Sequence, residues 1–244
     1  MSQRVKSRTI RLGNNDIDFE GNLLVNTILQ TNSSIVLERD YTTLETIQLT
    51  TSTGSAVEEL RLPNLTTVTY SVIIETSDLQ VLDLTALQTV GRNFILNNVS
   101  DTTIDLSALT SIGLVANIGG STTVTSIDLS ALVSVEGISI SNMTALTSLD
   151  LSSLTTMINN LSANDNQALD TVLLNNALDC LDINFAGCAL TQATVDAILL
   201  AIDTAGFTGG NMDLSGGTSS SPTGGFSNTN YLNLLSNGWT VNIN

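Results

Sequence analysis

A nine-residue phrase recurs along the centre of the chain at a nearly constant interval. It has the form Φ-Asp-Φ-Ser/Thr-x-Leu-x-x-Φ, where Φ is an apolar residue, and its first copy carries Arg61 in place of Asp. The leucines at the second Φ position are separated by 22, 22, 23 and 22 residues, and they are Leu62, Leu84, Leu106, Leu129 and Leu151. Such a period predicts a solenoid, because a single coil cannot bury its apolar face and stacked coils can.

The alternation within the phrase predicts a β-strand. In Φ-Asp-Φ the two apolar side chains point inward and Asp points outward. A second β-like segment follows about ten residues later in each copy, as at Asn93–Leu96, and a corner rich in asparagine often comes next. Asparagine tolerates the left-handed backbone of a tight corner, so Asn97-Asn98, Asn142 and Asn164 are predicted corner residues.

Composition agrees with β-structure. Charged residues are 12% of the chain, whereas Ser and Thr together supply 61 residues and Asn another 25. These polar residues favour strands and turns over helices. The phrase and the composition together predict a mainly β fold, a right-handed β-solenoid with coils of 22–23 residues stacked at about 4.8 Å.

The two ends of the chain depart from this period. Short strand phrases recur at Leu181-Asp182-Ile183, Met212-Asp213-Leu214 and Val241-Asn242-Ile243, with steps of 31 and 29 residues. A helix capped by Thr191 and ended by Gly206, and a weaker one from Ser227 to Gly238, fill the gaps. We therefore expect three parts: a strand-rich N-terminal cap or attachment segment (1–55), the solenoid (56–175) and an α/β C-terminal cap (176–244). The strands predicted in the first part are Ile10-Arg11-Leu12, Ile17-Asp18-Phe19 and Ile35-Val36-Leu37.

Charge and missing residue types exclude several function classes. The chain has 7 Lys+Arg, 23 Asp+Glu and no histidine, for a net charge of −16. Without histidine, zinc enzymes, Ser-His-Asp hydrolases and haem proteins are not expected, and so acidic a chain is a poor partner for nucleic acid. The start of the sequence has no apolar segment typical of a secretory signal, and no stretch is long and apolar enough to predict membrane insertion.

The repeat resembles that of leucine-rich-repeat proteins, and more closely the receptor L-domain type. The resemblance covers about residues 56–175, without the disulfides and signal peptide of that family. The segment from Ala189-Leu190-Thr191 to Met212-Asp213-Leu214, with Trp239-Thr240-Val241, resembles terminal units of leucine-rich-repeat-like bacteriophage proteins. This second resemblance implies a role in a virion or in recognition of a host surface, and neither family has catalytic residues to transfer.

One constellation carries candidate binding chemistry. Asp83, Asp105, Asp128 and Asp150 occupy the same position in successive copies, which places neighbouring carboxylates roughly 5 Å apart. Three interpretations stay open: a solvated surface row, a Ca²⁺ site, and a glycosidase pair. We call these four residues the Asp ladder. No other cofactor and no other metal site is predicted.

Three smaller features of the sequence also bear on function. Four basic residues lie within the first eleven positions, whereas no basic residue follows Arg92, and they are Arg4, Lys6, Arg8 and Arg11. The N-terminal arm is therefore a docking segment, a solvated terminus or a nucleic-acid tail, although four charges are few for the last role. The glycine pairs between Gly216 and Gly225 lack the spacing and the lysine of a phosphate-binding loop and predict a plain loop. Cys180 and Cys188 are expected to be buried thiols, with a disulfide as the alternative.

These observations lead to a function by elimination and resemblance. The sequence predicts a non-enzymatic structural or recognition protein, a bacteriophage virion component on a capsid or tail that is assembled in the host cytoplasm. Its partners would be other virion or surface proteins, a host-surface glycan or protein receptor, or further copies of itself. The alternatives are a bacterial surface adhesin, an intracellular leucine-rich-repeat scaffold in the cytoplasm, and a β-helical polysaccharide-degrading enzyme.

Overall fold

The fold is a parallel β-solenoid. A computed structural model describes residues 9–12, 22–25, 33–37, 42–50, 57–77 and 79–244. Strands β1–β22 and helices α1 and α2 are numbered in chain order. Every strand pairing in the described residues is parallel, as expected for coils that wind repeatedly in one direction.

One face of the solenoid is a continuous parallel sheet, which we call the long sheet. Among the described residues it contains ten strands. In order across the sheet they are β2 (Asn22–Val25), β5 (Thr46–Thr50), β8 (Val72–Glu75), β11 (Phe94–Asn97), β14 (Val115–Gly119), β16 (Gly137–Ser141), β18 (Asn160–Ser162), β20 (Asp182–Asn184), β21 (Asn211–Asp213) and β22 (Thr240–Asn242).

The Φ-Asp-Φ phrases form a second face, the Asp face, which consists of two four-stranded sheets. The first sheet contains β1 (Thr9–Leu12), β3 (Ser33–Leu37), β6 (Val57–Arg61) and β9 (Val81–Asp83). The second contains β12 (Thr103–Asp105), β15 (Ser126–Asp128), β17 (Ser148–Leu151) and β19 (Thr171–Leu174). Two-residue strands form a third face, and they are β4 (Thr43–Leu44), β7 (Thr67–Val68), β10 (Thr89–Val90) and β13 (Ser111–Ile112).

The register follows the sequence period. Ile104 lies opposite Ile127, and Phe94 lies opposite Ala116, which are steps of one coil. The five leucines predicted to form an inward ladder, from Leu62 to Leu151, are all buried. The predicted solenoid and its register are therefore confirmed, and apolar residues from every face form one core that runs along the coils.

A side chain fills the break between the two sheets of the Asp face. The Leu82 N–H donates to Oδ2 of Asp101 at 2.8 Å, and the same carboxylate accepts the Thr102 N–H at 2.7 Å through Oδ1. Leu82 belongs to β9, the last strand of the first sheet. The Asp101 carboxylate thus satisfies a backbone donor at the edge where ladder pairing stops.

The C-terminal helices replace strands of the Asp face. Helix α1 (Gln192–Ala205) begins at Thr191, whose side chain accepts the Thr194 N–H, and it ends at Gly206 with φ of 77°. Both of these ends were predicted. Helix α2 (Thr229–Ser236) begins at Asn228, not at the predicted Ser227, because the Asn228 side chain accepts the Tyr231 N–H at 3.1 Å.

The predicted alignment of the last three strands was wrong by two residues at its first member. Ile183 lies opposite Met212, and Met212 lies opposite Val241, so both steps are 29 residues. The repeated strand phrases align Leu181 with Met212, but Leu181 is exposed and Ile183 is the buried residue of its strand. Inward burial, which sequence similarity alone does not reveal, determines the register.

Described strands within residues 1–55 continue the same sheets. Strand β1 pairs with β3 and β2 pairs with β5, so the predicted strands around Ile10 and Ile35 are present. The predicted strand Ile17-Asp18-Phe19 lies outside the described residues. The boundaries of the N-terminal segment stay a prediction.

Candidate functional site

The Asp ladder is divided between the two sheets of the Asp face. Asp105 and Asp128 lie directly opposite each other in β12 and β15, and Asp150 follows in β17. Asp83 is in the other sheet, where it lies opposite Arg61. Asp105 and Asp128 are exposed, whereas Asp83 and Asp150 are half-buried. The structure therefore places three of the four predicted residues in one sheet.

Each ladder carboxylate closes a turn at the end of its strand. Oδ1 accepts the backbone N–H two residues later, at 3.0 Å from Ser107, 3.0 Å from Ser130 and 2.9 Å from Ser152, and at 3.4 Å from Thr85 in the fourth copy. The Ser130 hydroxyl adds a 2.6 Å bond to Asp128. This local bonding explains the recurring Asp-x-Ser/Thr pattern as a turn that ends the strand.

Asp105 does not suit the role of the general acid in a glycosidase. Hydrogen bonds from the Ser107 hydroxyl, and then from its backbone N–H, lower the pKa of Asp105, while burial opposes them weakly. A general acid for glycoside cleavage needs a raised pKa. In the part of the chain that the structure describes, no three His, Cys, Asp or Glu residues are arranged so that they could hold a metal ion. The Ca²⁺ site stays a prediction without structural support.

Of the four predicted docking residues, the structure describes Arg11. Arg4, Lys6 and Arg8 lie outside the described residues. The backbone of Arg11 belongs to β1, where it pairs with Val36. Their docking role stays a prediction.

The two cysteines are buried free thiols in the structure. The Cys188 thiol donates to the Ala163 carbonyl at 3.0 Å, and the Cys180 thiol donates to the Asp182 carbonyl at 3.3 Å. Burial raises the pKa of both thiols, and that of Cys188 reaches about 11. Both are therefore protonated and unreactive at neutral pH, which suits a role in packing.

A polar groove at one edge of the long sheet was not predicted from the sequence. We call it the amide groove, and its volume is about 540 Å³. It extends over the coils of β8, β11, β14 and β16, and its lining residues are Glu75, Asn97, Asn98, Asn117, Gly119, Gly120, Ser141 and Asn142. A volume of this size is typical of a small-molecule site.

A row of left-handed corner residues forms the base of this groove. Asn98 has φ of 60°, Gly120 of 73° and Asn142 of 58°, one coil apart, and Asp165 continues the row at 59°. The predicted corner asparagines are confirmed at Asn98 and Asn142. In the next coil, however, Asp165 and not Asn164 has the left-handed backbone.

Two consecutive glycines create the concavity. A Cβ on Gly120 would lie 2.4 Å from Oδ1 of Asn98, and a Cβ on Gly119 would lie 2.7 Å from the Ser141 carbonyl oxygen. The flanking coils carry side chains at these positions, so the coil that contains the two glycines is recessed between them. Gly119-Gly120 one coil after Asn97-Asn98 is the sequence signal that could have revealed the groove.

The groove offers hydrogen bonds with little charge. The Asn97 amide donates to Oε1 of Glu75 at 3.3 Å, and the exposed Asn117 amide makes no side-chain hydrogen bond among the described residues. Amides supply both donors and acceptors, and no basic side chain lines the groove. Such a surface suits a neutral ligand with many hydroxyl groups and disfavours an anion.

The outer face of the long sheet extends the same chemistry. Neighbouring strands of the long sheet pair Asn117 with Ser139, Ser139 with Ser162, and Ser162 with Asn184. Each coil therefore contributes one outward polar residue, and neighbouring residues of this row are about 4.8 Å apart. Towards the N-terminal end the same row contains Ile73 and Ile95. The polar part of the sheet therefore begins at the amide groove and continues towards the C-terminal end.

Comparison with known proteins identifies no relative, since no family model, no curated protein and no solved structure matches the chain. Among the described residues, no helix is long and apolar enough to cross a membrane. The class that the fold and the site define is a parallel β-solenoid with a polar, amide-lined groove on its long sheet.

Proposed function

We propose that this chain is a non-enzymatic recognition protein of a bacteriophage virion, and that its amide groove binds a neutral glycan of the host surface. The observation that carries the proposal is the lining of the groove, which contains four asparagines, a serine and one glutamate. Planar amides beside a carboxylate provide paired donors and acceptors for vicinal hydroxyl groups.

The rigidity of the site supports this role. Asn98 and Asn142 belong to corners that are held by backbone bonds between coils, with N–H to O distances of 2.9 and 3.4 Å. Because the groove is built on stacked coils and not on a long loop, little conformational entropy is lost when a ligand binds. The polar row that continues beyond it would contact further units of a polymer.

The lack of histidine and the turn bonds of the ladder carboxylates support a binding function over an enzymatic one. The chain has no histidine, and the ladder carboxylates are engaged in turns. In the described residues, no buried side-chain nitrogen or oxygen lacks a hydrogen-bond partner. A preorganised active site often leaves such a group unsatisfied until substrate binds.

The assignment to a virion rests on the resemblance of residues 189–241 to terminal units of leucine-rich-repeat-like phage proteins. It is tested separately from glycan binding, by mass spectrometry of purified particles. Detection of the chain as a stoichiometric component supports the virion role. Its exclusive recovery from the bacterial envelope or cytoplasm would favour the adhesin or the scaffold.

Glycan binding is tested by screening the purified chain on an array of bacterial surface glycans and measuring affinity by calorimetry. We expect Asn117→Ala to weaken binding at least roughly tenfold, since it removes a groove amide. Asn211→Ala, on β21 of the same sheet, is the matched control and should bind as wild type. Circular dichroism must show both variants folded. Equal affinity for all three proteins, or cleavage of the glycan, would contradict the proposal.

A further inference from the structure

A second surface follows the corner between the two-residue strands and the long sheet. We call it the corner ridge, and it consists of Tyr70, Arg92, Leu114, Glu136 and Ile158. Backbone bonds connect these residues coil by coil: Arg92 N–H to the Tyr70 carbonyl at 2.8 Å, Leu114 to Arg92 at 3.0 Å, Glu136 to Leu114 at 2.8 Å and Ile158 to Glu136 at 3.2 Å. The five residues therefore form one row, with about 4.8 Å between neighbours.

The ridge exposes apolar side chains to an unusual extent. Ile158 is 75% exposed and Tyr70 is 42% exposed. Val115 and Val133, on either side of the ridge, are also exposed. Tyr70 and Ile158 thus lie at the two ends of the ridge, and the half-buried Leu114 lies at its centre between the charged Arg92 and Glu136.

The two charges on the ridge have no ionic partner within the described chain. The Arg92 guanidinium lies 5.1 Å from the centre of the Tyr70 ring, and no described carboxylate is within ion-pair distance of it. The half-buried Glu136 carboxylate has no hydrogen-bond or ion-pair partner among the described residues. Arg92 is also the last basic residue of the sequence. Two opposite charges thus lie one coil on either side of Leu114, each without a counter-ion.

We propose that a second copy of this chain packs antiparallel on the corner ridge, with the two-fold axis at Leu114. Such an axis exchanges positions that are equally distant from Leu114. Arg92 of one copy then faces Glu136 of the other, twice in the dimer, and Tyr70 faces Ile158. An isologous interface requires this self-complementarity, in which residue i contacts j and j contacts i.

Other arrangements of two copies fit the ridge less well. In a parallel arrangement Arg92 would face Arg92 and Glu136 would face Glu136, and like charges in an interface cost several kcal/mol. The ridge is about 20 Å long over four coil steps, and its five residues are far fewer than the roughly 20–30 residues that each partner contributes to a standard interface. The dimer should therefore be weak and should dissociate on dilution.

Charge reversal tests the two-fold geometry directly. Arg92→Glu alone and Glu136→Arg alone should each be monomeric, since each places two like-charged pairs across the axis. An equimolar mixture of the two variants should form a heterodimer, and the double variant R92E/E136R should form a homodimer, because all facing pairs are then opposite in charge. Sedimentation velocity over a hundredfold range of concentration, together with native mass spectrometry, measures these states.

Asp170→Arg provides the matched control for Glu136→Arg, because both substitutions change the net charge by the same amount and sign. Asp170 is exposed and lies next to β19 on the Asp face, away from the ridge, so the variant should dimerise as wild type does. For each single variant we expect association to be weakened at least roughly tenfold. The proposal is overturned if the wild type stays monomeric over the whole range, if the single variants still dimerise, or if their mixture stays monomeric.

Discussion

At the residue scale, Asn166 is the clearest polar group inside the core. It is fully buried. Its Oδ1 accepts the Met143 N–H at 2.8 Å, and its Nδ2 donates to the carbonyls of Ile140 at 2.7 Å and Ala163 at 2.9 Å. The amide therefore joins two neighbouring coils at a corner where backbone groups would otherwise be unsatisfied.

Replacing this amide should destabilise the protein strongly. We expect Asn166→Leu to lower the free energy of unfolding by about 2–4 kcal/mol, because the buried Met143 N–H and the Ile140 carbonyl lose the amide partner and the Ala163 carbonyl keeps only the weak Cys188 thiol donor. Denaturant titration measures the change. Gln167→Leu, at the exposed next position, is the control. A difference between the two variants below about 0.5 kcal/mol would contradict the role of the amide.

Cys188 makes stability depend on pH in the alkaline range. Burial raises the pKa of its thiol from 9.0 to about 11. Between these values the unfolded chain has lost a proton that the folded chain retains, so unfolding becomes more favourable as pH rises. We expect the free energy of unfolding to fall from about pH 9 to pH 11, and to fall less steeply in Cys188→Ala. Parallel slopes for wild type and variant would show that the thiol does not contribute.

At the element scale, close contact between coils at the ridge corner requires glycine. The Gly91 N–H donates to the Val68 carbonyl at 2.8 Å. A Cβ on Gly91 would lie only 1.9 Å from the Thr69 carbonyl oxygen, and one on Gly113 only 2.1 Å from that of Gly91. The backbones of successive coils thus approach each other at a distance that a side chain would prevent.

An added methyl group tests this contact. We expect Gly91→Ala to lower the free energy of unfolding by about 1–3 kcal/mol through overpacking against backbone. Gly137→Ala is the comparison, since the nearest atoms to its new Cβ would be 3.4–3.5 Å away. Thermal unfolding followed by circular dichroism ranks the two variants. If Gly137→Ala proves the more destabilising variant, the close approach of the coil backbones at Gly91 is contradicted.

At the scale of the whole molecule, charge is distributed very unevenly. From Asn93 to the end the chain has twelve acidic residues and no basic one. The ion pair seen among the described residues joins Arg61 to Glu59 at 3.4 Å, in the N-terminal half. The C-terminal half must therefore be stabilised by its core and its backbone hydrogen bonds, against repulsion among its carboxylates.

Salt should accordingly raise stability. We expect the melting temperature to increase with NaCl, since added ions screen the repulsion among Asp105, Asp128, Asp150 and the other acidic residues. CaCl₂ at matched ionic strength should give the same increase. A larger increase with Ca²⁺ would reveal a cation site. A melting temperature indifferent to both salts would show that repulsion is unimportant.

The sequence by itself determined the solenoid, because the 22-residue step repeats a local pattern that only stacking can bury. The inward leucines, the outward Asp of each phrase and the Thr191 cap of α1 all follow from residue type and short-range spacing. The Asp-x-Ser/Thr turn is also determined locally, since its hydrogen bond joins residues that are two positions apart.

Only the tertiary structure decided what lies side by side on the surface. The amide groove joins residues from Glu75 to Asn142, and the corner ridge joins five coils. Their existence depends on the register between coils, which burial determines, as the shifted match of Leu181 and Ile183 shows. The constant 22-residue step of both rows follows the sequence period, but which of their side chains are exposed, and where the coils leave a groove, depends on how each coil packs against the core.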